Sequence, residues 1–224
     1  MIRIIRTLLF SLIVFFISAA HASFYVGAGL GPDAIDFKQQ ANIYQPGAFG
    51  FQVINKTHLS GTGVFGTVFI GYKYLQNKFH LAVEANSNIS SASFTTSNDE
   101  YVHSNFQHSR YKINNSYGVS VLPGYQISEN ALFYARLGYA NANVKISTTD
   151  SSLANKSHRR DGFRPGLGVN QQITKRLSVR MEYSRTQYTK TKLSAFDAMS
   201  LVTKNTTISP RQQLVEFSGI FQLD

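Results

Sequence analysis

The residues best placed to do chemistry in this chain are five charges: Glu84, Arg136, Arg164, Arg180 and Glu182. Each is set between apolar neighbours in an alternating segment. Glu84 follows the start of its segment, Phe79, by five positions; Arg136 follows Ala131 and Glu182 follows Leu177 by the same interval, and Arg180 precedes Glu182 by two. Carboxylates and guanidinium groups at matched heights can pair, or they can line a path for ions. A charge withdrawn from water needs a partner, so a structural network filling an interior outweighs an ion gate. A second group is basic. "NKSHRRDG" carries Lys156, His158, Arg159 and Arg160, and Arg185 and Arg211 stand near strand ends. Guanidinium groups bind phosphate well, which makes these six candidate anion contacts.

Catalytic and metal chemistry find less support. His58, His80, His103, His108 and His158 follow residue 22, and His103 and His108 share a polar stretch with Asp99 and Glu100. Proximity in a loop does not supply the converging ligands of a metal site. His108-Ser109 is an adjacent nucleophile–base pair, without an acid partner on a rigid element. Gly61-Thr-Gly63-Val-Phe-Gly66 has the glycine spacing of a dinucleotide loop, but strand rather than helix follows it. No catalytic residue, metal or cofactor is expected, and no nucleic-acid motif is present.

The elements that must position the five charges are extended. From Val64, every second residue is Val, Gly, Val, Ile, Tyr, Tyr; after Gln76-Asn77-Lys78 the alternation resumes with Phe79, Leu81, Val83 and Ala85. A period of two with a short polar break is a β-hairpin. The pattern recurs around Ser128-Glu129-Asn130 and around Thr174-Lys175-Arg176, and strands over Phe24–Gly31 and Gln212–Leu223 complete a set of eight. The other connections, Pro32–Gly61, Thr96–Arg110, Thr149–Asp161 and Lys192–Thr207, read as long polar loops. Short and long connections alternate, so the short turns gather at one end with both termini and the long loops at the other.

Composition bounds the setting. Arg3 and Arg6, an apolar run over Leu8–Ala20 and Ala20-His21-Ala22 have the form of an export signal ending at residue 22. Residues 23–224 would then form one domain carrying 20 Lys+Arg against 12 Asp+Glu. There is no cysteine, so neither disulfides nor thiolate sites are available. Beyond the signal no apolar run approaches the ~20 residues of a membrane helix; the hydrophobic signal lies wholly in alternation.

Which solvent each strand face meets follows from the residues between the apolar ones. That second face is rich in glycine (Gly27, Gly29, Gly71, Gly118, Gly138, Gly168) and holds the five charges. A water-facing exterior would be dense in Lys and Glu; small residues with a few opposed charges suit a narrow, filled interior. The apolar face, with tyrosines and phenylalanines near strand ends, suits lipid. A sheet in lipid must close, or its edge N–H and C=O groups lack partners. The expected fold is an all-β, eight-stranded antiparallel up-and-down transmembrane barrel.

"FYVGAGLG", "FIGYKYL", "VLPGYQI" and "YARLGYANA", in this order and over most of Phe24–Leu223, resemble the small outer-membrane β-barrel family of the OmpA transmembrane-domain, OmpX and opacity-protein kind. The resemblance implies an integral outer-membrane protein of a Gram-negative cell, inserted by the barrel assembly machinery, with loops outside and turns and termini in the periplasm. It also implies roles in envelope integrity, adhesion and surface interaction. Such chains commonly end in an aromatic residue; this one ends "GIFQLD", with Phe221 inside the terminus. The expected partners are membrane lipid and lipopolysaccharide, and the expected state a monomer. An adhesin for acidic host glycans or proteins is the alternative, and a lipid A-modifying barrel enzyme the further one.

Overall fold

In the computed structural model, residues 22–47, 50–98, 107–148, 156–197 and 201–223 are described. They form one antiparallel sheet of ten strands: β1 (Ala22–Tyr44), β2 (Gln52–Gln76), β3 (Phe79–Ser90), β4 (Ser93–Asn98), β5 (Gln107–Gln126), β6 (Ala131–Thr148), β7 (Lys156–Gln172), β8 (Leu177–Tyr188), β9 (Thr191–Asp197) and β10 (Val202–Gln222). Eight of them close a ring in the order β1-β2-β3-β5-β6-β7-β8-β10, and β1 pairs β10 to complete it. The closing register runs from Tyr25↔Gln222 to Tyr44↔Thr203, so the terminal strands leave no free edge over that length. The export-signal reading covers residues 1–22, of which 1–21 lie outside the described part of the chain.

The three tight turns lie where alternation pauses. Asn77 turns β2 into β3 with a positive φ of 55°, which asparagine tolerates better than most residues. Residues 127–130 and 173–176 make the other two turns. Outward positions within the barrel are apolar and exposed, among them Leu30, Val64, Phe79, Phe163 and Phe217. The rows from Phe24/Tyr72 to Pro32/Val64 span nine residues of β1, close to the 9–11 that a tilted strand needs to cross a bilayer.

The long polar loops expected from the sequence are corrected by the structure. Pro32–Gly61 is mostly strand: β1 continues to Tyr44 and pairs β2 from Gln52 onward. Thr149–Asp161 is shortened because β7 begins at Lys156, and Lys192–Thr207 contains β9 and the start of β10. Thr96–Arg110 likewise gives up its ends to β4 and β5. The strands therefore run past the apolar rows and divide into two walls. The first is β2-β1-β10-β9 and the second β4-β5-β6-β7.

An apolar cluster fastens the walls together. Ile35, Phe37 and Ile208 of the first meet Tyr111, Ile113, Ala142 and Val144 of the second. Phe94 stacks on Tyr111 with ring centroids 4.8 Å apart, and Phe37 lies 5.3 Å from Phe94 and 5.5 Å from Tyr111. At the turn end, Tyr25, Phe69, Leu122, Tyr134 and Ile220 form a second buried cluster. The interior is thus apolar at both ends and charged between.

Candidate functional site

The charged middle layer is built by alternation. Glu84 on β3, Arg136 on β6, Arg164 on β7, and Arg180 and Glu182 on β8 all take the inward parity, and all are almost fully buried. The structure brings these five together and adds a sixth, Glu216 of β10. Arg136 Nη2 lies 2.6 Å from Glu84 Oε1, and its Nε lies 2.7 Å from Glu182 Oε1, an ion pair whose angle falls short of a hydrogen bond. Arg164 Nη2 is 3.5 Å from Glu182 and 3.8 Å from Glu216. Arg180 contacts Glu216 at 2.9 Å and Glu84 at 2.7 Å. The contacts close an alternating ring, Glu84–Arg136–Glu182–Arg164–Glu216–Arg180, with no net charge.

Neighbouring groups take up the remaining hydrogen-bonding capacity. Tyr25 donates to Glu84 at 3.1 Å and Tyr134 to Glu182 at 2.7 Å. Ser120, Ser184 and Ser218 accept from Arg136, Arg164 and Arg180 at 2.9, 3.0 and 3.2 Å. The Arg180 guanidinium also lies 4.0 Å from the Phe69 ring centroid. The tyrosines reach the ring because glycines face them. A Cβ on Gly71 would collide with the Tyr25 ring, and one on Gly168 with the Tyr134 ring. Glu216 could have been found in the sequence, since it stands between Val215 and Phe217, both on the apolar face.

Beyond the ring toward the walls, the side-chain amides of Asn86 and Asn88 hydrogen-bond to each other, and Asn88 donates to Ser116 at 3.1 Å. Asp33 accepts from Ser90 and, at 3.0 Å, from Gln212, which in turn accepts from Tyr188 at 2.8 Å. The apolar cluster then seals that end. Toward the turns the lumen keeps cavities of about 30 and 90 Å³, both bordered by Lys73, His80 and Asn170. A space that small admits a few waters, not a substrate.

The six candidate anion contacts do not form one patch. His158, Arg159 and Arg160 lie in β7, opposite Val144, Asn143 and Ala142 of β6, and not in a loop. Alternation therefore splits them. His158 and Arg160 share the parity of inward Arg164, while Arg159 points outward, 5.0 Å above the Tyr117 ring. Lys156 opens β7, and its side chain lies outside the description. Arg185 and Arg211 are on the outward parity, where Arg211 Nε donates to Gln187 at 2.5 Å.

Longer strands bring other cations to the outward face that the loop reading had scattered. On the second wall Lys112 pairs with Lys145, one row beyond Asn143 and Arg159. On the first wall Lys38 pairs with His58, Gln40 with Lys56, and Thr207 with Lys192. His103, Asp99 and Glu100 lie outside the described residues. Among those described, no three His, Cys, Asp or Glu side chains converge as metal ligands would.

Residues 7–209 match the family model of the outer membrane protein beta-barrel domain. No curated protein compared with the sequence matches it. Among solved structures, Neisserial surface protein A is 14% identical, with 90% of this chain and 98% of that one covered and a TM-score of 0.42. OprG from Pseudomonas aeruginosa is 13% identical over 90% and 98%, with a TM-score of 0.40. The attachment invasion locus protein Ail of Yersinia pestis, solved with the heparin analogue sucrose octasulfate, is 14% identical over 84% and 98%, with a TM-score of 0.35.

Proposed function

Since this chain belongs to the outer membrane protein beta-barrel domain family, we propose that it is a non-catalytic scaffold of the outer membrane, holding its two walls outside the cell and its tight turns in the periplasm. The sealed lumen carries this reading. A neutral ring of three arginines and three glutamates fills its middle, and apolar clusters close both ends. Such an interior passes no bulky solute and offers no cleft for one, so the surface available for interaction is the walls. Their partners on this reading are lipopolysaccharide and, during insertion, the barrel assembly machinery.

The basic outward rows favour a second reading, an adhesin for acidic glycans or proteins of a host. A null strain separates the possibilities. A scaffold predicts weakened resistance to detergent and bile salts with unchanged attachment to host cells. An adhesin predicts lost attachment with an intact barrier. A changed lipid A mass spectrum in the null strain would instead reveal a lipid A-modifying enzyme and overturn the non-catalytic reading.

A further inference from the structure

The first wall carries a hollow on its outward face. Lys38, Lys56, His58, Lys190 and Arg211 border it, with Gln40, Thr207 and Ser209 between them, around a space of about 500 Å³. Strand register explains the gathering. Lys38 lies opposite His58 on β2 and Ser209 on β10, and Gln40 lies opposite Lys56 and Thr207 in the next row. Lys192 extends that row through its pairing with Thr207. Among the described side chains one acid shares the face: Asp36, opposite Arg211 and Ser60.

The hollow's position selects its occupant. It lies on the same outward parity as the lipid-facing rows and begins two rows beyond the last of them, Pro32/Val64. A molecule seated there stands beside the barrel, with its polar head level with the cations and its chains along Leu30, Val64 and Phe217. Tyr188, at the edge of the walls' apolar cluster, closes the hollow's inner border. We infer that this hollow binds the phosphorylated headgroup of an outer-leaflet glycolipid, with Lys38, Lys56, Lys192 and Arg211 meeting phosphates and the hydroxyl and amide groups meeting sugar. Arg211 presents a planar donor set suited to phosphate, and lysines act as mobile point charges around it. This inference rests on the walls facing outside the cell.

The test uses the folded barrel in phosphatidylcholine nanodiscs, with diphosphoryl lipid A, dephosphorylated lipid A and soluble inositol hexakisphosphate as probes. Each basic residue near an anionic lipid surface contributes roughly a factor of five. The triple variant Lys38→Ala/Lys56→Ala/Lys192→Ala should therefore bind diphosphoryl lipid A about a hundredfold more weakly than wild type. Dephosphorylated lipid A should bind both proteins equally poorly. Removing three cations at the turn end, Lys78→Ala/Lys175→Ala/Arg176→Ala, should leave binding within about twofold, because those charges lie a bilayer away and are screened. Equal binding by wild type and the wall variant overturns the site, as does an equal loss in the turn-end variant. Inositol hexakisphosphate binding as tightly as lipid A would replace the glycolipid by a soluble polyanion. Orientation is read separately, by labelling Lys56→Cys on intact cells with a membrane-impermeant maleimide. Absence of label removes the outer leaflet as the source even where binding in nanodiscs persists.

Discussion

Replacing Arg136 by methionine keeps most of the side chain's volume and removes its charge from the closed ring. Of their cations, Glu84 then retains Arg180 at 2.7 Å, but Glu182 retains only Arg164 at 3.5 Å. Two arginines would face three glutamates in a site with almost no solvent access. Breaking a buried pair by removing one partner costs about 3–5 kcal/mol, and the surviving contacts place Arg136→Met toward the lower figure. Adding Glu84→Gln or Glu182→Gln restores neutrality and should recover about 2 kcal/mol, within the range seen for contacting pairs. Glu216 supplies the control. It touches Arg164 and Arg180 but not Arg136, so Glu216→Gln restores the same net charge without removing a stranded contact and should recover less. The chain has no tryptophan, so urea unfolding in lipid vesicles is followed by far-ultraviolet circular dichroism and by the mobility of unheated protein on gels. Additivity within about 0.5 kcal/mol in both contact double mutants would refute the ring. Equal rescue by Glu216→Gln would show that net charge matters and pairing does not.

The closed hydrogen-bonded ring of strands should survive dodecyl sulfate at room temperature, so boiled and unboiled samples should migrate differently; identical migration would contradict closure. Phe37→Ala empties the centre of the cluster between the walls and should cost about 3–5 kcal/mol. Because that cluster lies beyond the apolar rows, the loss should appear first as faster proteolysis of the walls, and unchanged proteolysis and unfolding would show that the walls stand without it. Gly168→Leu should push Tyr134 off Glu182 and lower the unfolding midpoint, whereas a leucine at outward Gly66, whose Cβ would meet the Gly29 carbonyl at an ordinary 4.0 Å, should be tolerated. Similar shifts at both sites would mean that the inward glycines are not there to admit the tyrosines.

The barrel was legible in the sequence because one physical signal persists through it: apolar residues on one parity, glycine and charge on the other. The same signal hid the walls. On β1, Phe24, Val26, Ala28 and Leu30 within the lipid rows face outward, whereas Ile35, Phe37, Ala41 and Ile43 beyond them face inward. The parity reverses because the outer face passes from lipid to water while the inner face passes from a polar network to an apolar core. On β10, Val215, Phe217 and Phe221 face outward, whereas Ile208 and Leu214 face inward. A reading that demands one unbroken alternation ends the strand at the reversal and assigns the remainder to a loop. That displaced Arg159 and Arg160 from β7, and it left Lys38, Lys56 and His58 unconnected, since a loop gives no reason for them to meet.

Strand parity also sorts charge. Asp33, Glu84, Glu182 and Glu216 are buried inside, so four of the chain's 12 acids are removed from its surface. Among the described side chains, three of its 22 Lys+Arg, Arg136, Arg164 and Arg180, are buried with them. On the outward faces of the walls the acids with described side chains are Asp36 and Asp161, against Lys38, Lys56, Lys112, Lys145, Arg159 and Lys192. The positive balance of the chain is thus concentrated just beyond the lipid rows. The two populations then answer to different physics. The ring is internally neutral and shielded from solvent, so salt barely reaches it, while the collar is exposed to screening within a Debye length of about 8 Å at physiological ionic strength. Stability resides in the first and surface attraction in the second, which leaves the walls free to change their charge without loosening the barrel that carries them.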